Sequence, residues 1–411
     1  MRPRELFAVA APGLEALTLR ELQTTPFGNF SLPKALAGGI DFRGHDQAIY
    51  RANLWLRTSS RVLVRVGHGK STHKKELVQK LRRMDWTPFL QPRDTKLIVR
   101  ASSKKSKLIN TALLEEAVKS ALDRYSNERS ANEQEIVISF KHDQFTVSIN
   151  SSGDNLHKRW YRQQVATPMP LRETLAAGAH LSSWAAAESN PDSDVKLPSA
   201  IVDPFCGSGT LPIEAALILA TCAPGLVRLQ QHPNRAYAFA DWPSFDGQRF
   251  AQVIEEAMSV RKDRPPQGSG PIAFGFDRER AAVEIAEKCA ARAGVQDWCA
   301  FEQRDITVEG LALPGLQLDS MKAGLCSRGA IVTNPPYGPR FKGPIQSIFT
   351  ALGSQLKEHC KGWQLALIAP ADFPGIRTLG QSGLSHHHAK QMLEVTNGGR
   401  RMKVFATPEV V

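Results

Sequence analysis

The chain has 411 residues, 42% of them apolar and 22% charged, the composition of a globular protein long enough for two or three domains. No apolar run reaches the roughly 20 residues that a membrane-spanning helix requires, and Met1-Arg2-Pro3-Arg4-Glu5-Leu6-Phe7 lacks the apolar core and cleavage pattern of a signal peptide. The net charge of +12 is unevenly placed: residues 1–165 hold 28 Lys and Arg against 16 Asp and Glu, and the remainder holds 24 against 24. A polyanion-binding module beside a neutral module is therefore expected.

Residues 1–65 alternate strand and helix signals. Glu5–Ala10 reads as a strand, Gly13–Leu22 as a helix, Gly39–Phe42 as a short strand, His45–Leu56 as a helix and Arg61–Val66 as a strand. Residues 66–165 are the most basic. Lys70, Lys74, Lys75, Lys80, Arg82 and Arg83 surround a helix, and Lys96–Ala101 reads as a strand. Ser102-Ser103-Lys104-Lys105-Ser106-Lys107 is a basic loop, followed by an amphipathic helix over Thr111–Tyr125. Two strands, Glu135–Phe140 and Gln144–Ile149, flank a hairpin turn at His142-Asp143. In Gly153–Arg162, cations and aromatics interleave. That pattern suits phosphate binding with base stacking, or a hinge to the next domain.

From 166 onward the pattern changes. A helix opens at Pro170-Leu171-Arg172-Glu173-Thr174, a polar linker covers Ser189–Pro198, and an apolar strand ends in Asp203-Pro204-Phe205-Cys206-Gly207-Ser208-Gly209-Thr210 before another helix. Strand, glycine turn and helix open a nucleotide-cofactor α/β unit, because glycine admits a ligand where a Cβ would collide. There is no Gly-Lys-Ser/Thr, and G-x-G-x-x-G is incomplete, so neither a P-loop nor a dinucleotide fingerprint is present. An acid just before the turn suits a cofactor with a cationic amino-acid part, and S-adenosylmethionine (SAM) is one. Residues 221–270 read as an insert rich in Pro, Asp and aromatics. Then come two further acid-ended strands, Ile272–Asp277 and Cys299–Asp305, separated by the helix Arg280–Ala293. Asp277 is placed for ribose hydroxyls and Asp305 for an adenine amino group.

The strand Gly329–Thr333 runs into Asn334-Pro335-Pro336-Tyr337-Gly338. Proline cannot donate to a ladder, so the strand stops there and presents Asn334 and Tyr337 at its carboxyl end. Trp363–Ala369 reads as a further strand, and Gln391–Val395 with Lys403–Ala406 as a closing pair around an Asn397-Gly398 turn. Cysteines 206, 222, 289, 299, 326 and 360 show no C-x-x-C spacing. Reduced thiols of a cytoplasmic protein are expected rather than disulfides or a zinc site. His386-His387-His388 has no accompanying carboxylate or cysteine pattern, so no metal is expected.

On these residues the chain resembles the class I SAM-dependent methyltransferases that carry a THUMP RNA-binding domain, and among them the bacterial enzymes that methylate guanine N2 in 23S ribosomal RNA. The resemblance rests on Ser151–Arg162, Pro170–Ala176, Asp203–Thr210, Ala238–Asp246 and Asn334–Gly338. Pro339, where the family has an acid, and Cys289, where it has an asparagine, depart from the pattern. The resemblance implies an α/β fold: a Rossmann-like class I methyltransferase sheet of seven strands with the last pair antiparallel, preceded by an α+β ferredoxin-like/THUMP region. It implies an N-terminal α+β subdomain over 1–65, a THUMP-like RNA-binding domain over 66–165 and a methyltransferase domain over 166–411. A second methyltransferase domain, present in some members, is not expected. SAM would be held by Asp203, Gly207 and Gly209 at its methionine part, with Phe205 in the same turn, by Asp277 at the ribose and by Asp305 at the adenine. Asn334, Pro335, Pro336 and Tyr337 would hold the target base of an RNA bound through residues 1–165. No membrane partner is expected. Transfer RNA as substrate, and a non-catalytic RNA-binding or ribosome-assembly protein on a methyltransferase fold, are the alternatives.

Overall fold

The computed structural model describes residues 3–26, 28, 30–162, 171–188, 198–233, 236–266, 270–311, 329–337, 345–360, 362–370, 390–397 and 400–407. Pro170, the linker residues 189–197, Cys326, Gly338, Pro339, His386–His388 and Gly398-Gly399 lie outside the described residues. The chain divides into two compact units. The first comprises Met1–Ala10, Thr18–Lys158 and Arg228–Ser259, and the second Ala11–Leu17, Arg159–Val227 and Val260–Val411.

In the first unit, β1 (Arg4–Ala10), β2 (Ser31–Leu36), β3 (Gly39–Gly44), β4 (Ser59–Lys70), β5 (Lys96–Lys104), β6 (Glu133–Lys141) and β7 (Gln144–Asn150) form one sheet. Its order is β2-β3-β1-β4-β7-β6-β5. Only β5 and β6 run parallel. Period-two alternation sets which face is covered: Gln134, Ile136, Ile138 and Phe140 of β6 are buried, while Glu133, Ser139 and Lys141 are exposed. The helices Lys74–Arg82 and Thr111–Ala121 contribute Leu77, Leu81, Leu114, Ala117 and Val118 to the core. The second of these is started by Asn110, whose side chain accepts from the Leu113 N–H at 3.2 Å. The β6–β7 turn places His142 and Asp143 at φ 53° and 60°, the paired left-handed geometry of a tight hairpin. Strand β2 was not apparent in the sequence. It carries Pro33, and Leu32 is 76% exposed; an edge strand tolerates proline and shows no clean alternation.

Residues 228–259 complete this unit's core. Tyr237 stacks on Phe239 at 5.0 Å, and Tyr50 and Phe250 pack on Phe239 at 4.9 and 5.2 Å. Trp242 Nε1 donates to Gln134 Oε1 at 2.8 Å. Arg51 grips Glu256 with two nitrogens. Arg228 is buried and donates to the carbonyls of Ser152, Asp154, Asn155 and Ala236, which satisfies a guanidinium cut off from water.

The second unit holds β8 (Ala200–Asp203), β9 (Ala273–Asp277), β10 (Cys299–Gln303), β11 (Gly329–Thr333), β12 (Gln364–Pro370), β13 (Lys390–Asn397) and β14 (Arg400–Thr407). The order is β10-β9-β8-β11-β12-β14-β13. The first five are parallel and the β14/β13 pair is antiparallel. This is the class I methyltransferase sheet. Val202, Phe274, Phe276, Ile331, Leu365 and Leu367 form much of its core, the near-continuous apolar strands of a sheet covered on both faces. Strand order reverses at β8, with β9 on one side and β11 on the other. That switch point opens a crevice at the strands' carboxyl ends. Leu14, from the N-terminal segment of this unit, is fully buried. It sits so close to Gly178 that a Cβ there would be 2.8 Å from Leu14 Cδ2. Among the described residues no single helix is long and apolar enough to cross a membrane.

Candidate active site

Strand β8 ends at Asp203, which is only 2% exposed. Its Oδ1 accepts from Thr333 Oγ1 at 2.7 Å and from the Phe205 N–H at 3.1 Å. Thr333 is the last residue of β11, so this bond ties together the two strands that flank the switch point. Burial pushes the Asp203 carboxyl up to about 7, against the two hydrogen bonds; the nearby Asp277 adds to the rise.

The two glycines of the turn differ. Gly207 sits at φ +52°, and a Cβ added there would meet nothing within 4 Å, so the turn faces open space. Gly209 sits at φ +78°, and a Cβ there would lie 2.9 Å from Ala286 Cβ and 3.0 Å from the Phe301 ring. Gly209 therefore serves the close packing of helix on sheet. Asp277, at the end of β9, accepts from the Gly207 N–H on Oδ2 and from the Glu279 N–H on Oδ1, both at 3.0 Å. Each oxygen keeps acceptor capacity beyond these bonds. Asp305, two residues past β10, accepts from the Thr307 N–H and hydroxyl at 2.9 and 2.6 Å on one oxygen. Those bonds, led by the hydroxyl, hold its carboxyl below the usual range.

These strand ends border a cavity of about 480 Å³ whose wall includes Phe205, Asp277, Asp305, Asn334 and Pro336, within the size range of small-molecule sites. Asn334 Oδ1 is buried and has no donor among the described residues. A buried acceptor without a partner is costly. Asp203, Gly207, Gly209, Pro335 and Tyr337 are not on the cavity wall: Asp203 is bonded to Thr333, the residue before Asn334, and Gly207 donates to Asp277. The wall also carries Arg278, Glu279, Arg304, Thr307 and Ser347, which the sequence reading did not single out. The first two immediately follow an acid-ended strand, and Asp305-x-Thr307 is a side-chain turn spacing. Both signals were available. Acid-ended parallel strands, an open glycine turn and an unmet acceptor fit a nucleoside cofactor bearing a cationic amino-acid part.

The Arg159–Arg162 segment, for which phosphate and base contacts were one expectation, is turned inward instead. Arg159 and Tyr161 are buried. Arg159 faces Glu214 at 3.6 Å, Tyr161 donates to Glu214 at 3.3 Å, and Arg162 pairs with Glu173 at 2.6 Å. Two buried glutamates supply what would otherwise be phosphate's role.

Residues 159–392 match the model of the RMKL-like methyltransferase domain, and residues 5–63 match that of the RlmL ferredoxin-like domain. The chain is 34% identical over 378 residues to "Ribosomal RNA large subunit methyltransferase K/L" of Syntrophotalea carbinolica, covering 89% of this chain and 49% of that protein. The chain thus spans about half the length of that relative. It is 31% identical over 382 residues to YpsC of Bacillus subtilis, a candidate RNA methyltransferase, covering 90% of this chain and 88% of that one. Among solved structures it is similar to SMU.472, a candidate methyltransferase crystallised with SAH. The TM-score is 0.77 and the identity 27%, over 99% of this chain and 98% of that chain.

Proposed function

The chain belongs to the RMKL-like family of SAM-dependent methyltransferases, and from that premise we propose that it methylates an exocyclic base amine in RNA, guanine N2 of 23S ribosomal RNA. The observation that carries the reading is the buried, unmet Asn334 Oδ1 on the same wall as Asp277 and Asp305. The cofactor SAM supplies a methyl group on a sulfonium whose leaving group is a neutral thioether. Asp277, with acceptor capacity to spare, holds the ribose hydroxyls; Asp305 takes the adenine amino group; the Gly207 turn leaves room for the methionine part. Asp203 braces that turn against β11.

An exocyclic amine is a weak nucleophile because its lone pair is delocalised into the ring. Asn334 Oδ1 and the Pro335 carbonyl accept hydrogen bonds from its two N–H groups, favour a pyramidal nitrogen and free the lone pair toward the methyl group; the methylated nitrogen then releases one proton to solvent. Tyr337 stacks on the base. With no strong acid or base needed, orientation supplies most of the rate gain, and a base within a stem must first leave its stack. The basic part of residues 1–165 binds the RNA backbone. Nucleoside mass spectrometry of ribosomal RNA treated with the purified chain and methyl-labelled SAM tests this: label is expected in N2-methylguanosine of the large-subunit RNA. Label confined to N6-methyladenosine, or to transfer RNA, would replace the substrate proposed here.

A further inference from the structure

Strand pairing in the first unit lines up lysines that are far apart in sequence. Lys104 of β5 is in register with Lys141 of β6, Lys141 with Gln144 of β7, and Gln144 with Lys70 of β4. All four are exposed. They form one row across the end of the sheet, about three strand spacings or roughly 14 Å long. Lys105 and Lys107 in the loop after β5, and Lys75 in the first turn of the helix Lys74–Arg82, are exposed as well. None of these six lysines has a carboxylate partner among the described residues, whereas Lys74 and Lys80 nearby are paired with Glu116 and Glu76.

The loops that carry the row are fixed. Asp143 accepts from the Lys107 N–H on its side chain at 2.7 Å and from the Ser71 N–H on its carbonyl at 2.9 Å; its own N–H donates to Ser106 Oγ at 3.0 Å. Lys105, His142 and Asp143 hold left-handed φ values of 52°, 53° and 60°, a strained conformation for residues with a Cβ. Three loops are thus clasped at one aspartate so that unpaired ammonium groups stand in a line. The neighbouring phenylalanines Phe140 and Phe145 are buried and offer no ring on which a base could stack.

We infer that the Lys70–Lys141–Lys104 row is a sequence-independent rail for the phosphate backbone of RNA, with Asp143 as the residue that positions its loops. The inference rests on the RNA reading above and adds where the backbone lies and that no base is read there. The rail consists of ammonium groups without planar forks, and it binds phosphates as point charges.

The test replaces Lys70, Lys104 and Lys141 together by Gln in the full chain and measures binding to large-subunit ribosomal RNA and to poly(U) across a salt series. Melting temperature and SAM affinity serve as controls and are expected to be unchanged. Each lost phosphate contact lowers the log–log salt slope by roughly 0.7 on a single strand and 0.9 on a duplex, so a drop of about 2–3 is expected for both RNAs. Lys80→Gln, which removes a paired lysine, leaves the slope near that of the parent chain. An unchanged slope in the triple variant, while the parent chain binds RNA in a salt-dependent way, overturns the rail and leaves the RNA reading standing. A drop for one RNA only overturns the sequence independence. Loss of binding to phosphatidylserine vesicles with RNA binding intact assigns the row to a membrane instead. A parent chain that neither binds nor methylates RNA removes the functional reading, and the rail with it.

Discussion

The two units treat charge in opposite ways. In the first, Lys70, Lys104 and Lys141 stand in solvent without carboxylate partners among the described residues, and the sheet lines them up. In the second, the acids that matter are buried or bonded: Asp203 to Thr333 of the neighbouring β11, Asp277 to the glycine turn, Asp305 to Thr307. The difference fits the ligand proposed for each. A polyanion is held by many solvated charges, each weak, additive and screened by salt. A single nucleoside cofactor is held by a few oriented acceptors in a small cavity, where desolvation makes each bond count and ionic strength matters little. Substitutions in the second unit should therefore be few and severe, and those in the first graded.

The largest effect should come from Asn334→Ala. Removing the acceptor proposed to orient the amine should lower the single-turnover rate on the order of 10²–10³-fold while leaving SAM affinity nearly intact. A near-normal rate would mean that another group orients the base. Asp277→Ala should come next, weakening SAM binding about 10- to 150-fold, the equivalent of ~1.5–3 kcal/mol for a charged acceptor. Calorimetry showing no change would take Asp277 out of the site and blur the contrast between the units.

A smaller effect is a pH dependence. Burial raises Asp203 to about 7, against about 4 in the unfolded chain. The native state then holds a proton that the unfolded state releases between those values. Stability from this group is full below about pH 4, falls as pH rises and is gone above about 7. Asp203→Asn removes that fall. Its melting temperature should exceed that of the parent chain by a few degrees at pH 8, with the gap closing toward pH 5; a gap independent of pH would contradict it. The smallest and most local test compares the two glycines. Gly209→Ala collides with Ala286 and Phe301 and should lower the melting temperature more than Gly207→Ala, which meets open space and mainly strains φ at roughly 1–2 kcal/mol. Gly207→Ala should instead cost more SAM affinity.

Much of the second unit was legible because its signals are local. Acid-ended apolar strands, a glycine turn and Asn-Pro-Pro-Tyr each fit within a few residues, and the helix Arg280–Ala293 starts and ends where its spacing indicates. What was hidden is non-local. Nothing in the sequence near Arg228–Ser259 says that its aromatics pack on Tyr50, or that Leu14 belongs to the second unit's core. The inward turn of Arg159 and Tyr161 depends on Glu214, more than fifty residues away and buried without local warning. The lysine row likewise exists only through register. These interleaved segments also bear on how the units can be studied. Cutting the chain near residue 165 would strip the first unit of its aromatic core and the second of Leu14, so binding is best apportioned in the intact chain.

The most direct measurement follows from that. In the intact chain, the KM for RNA, the Kd for SAM and kcat should be measured across one salt series. The account predicts that the KM for RNA rises steeply with a log–log slope that the lysine row sets, while the Kd for SAM and kcat stay nearly flat. A Kd for SAM that rises as steeply as the KM for RNA, or a KM for RNA indifferent to salt, would contradict the division between a screened cationic surface and a desolvated cofactor cavity.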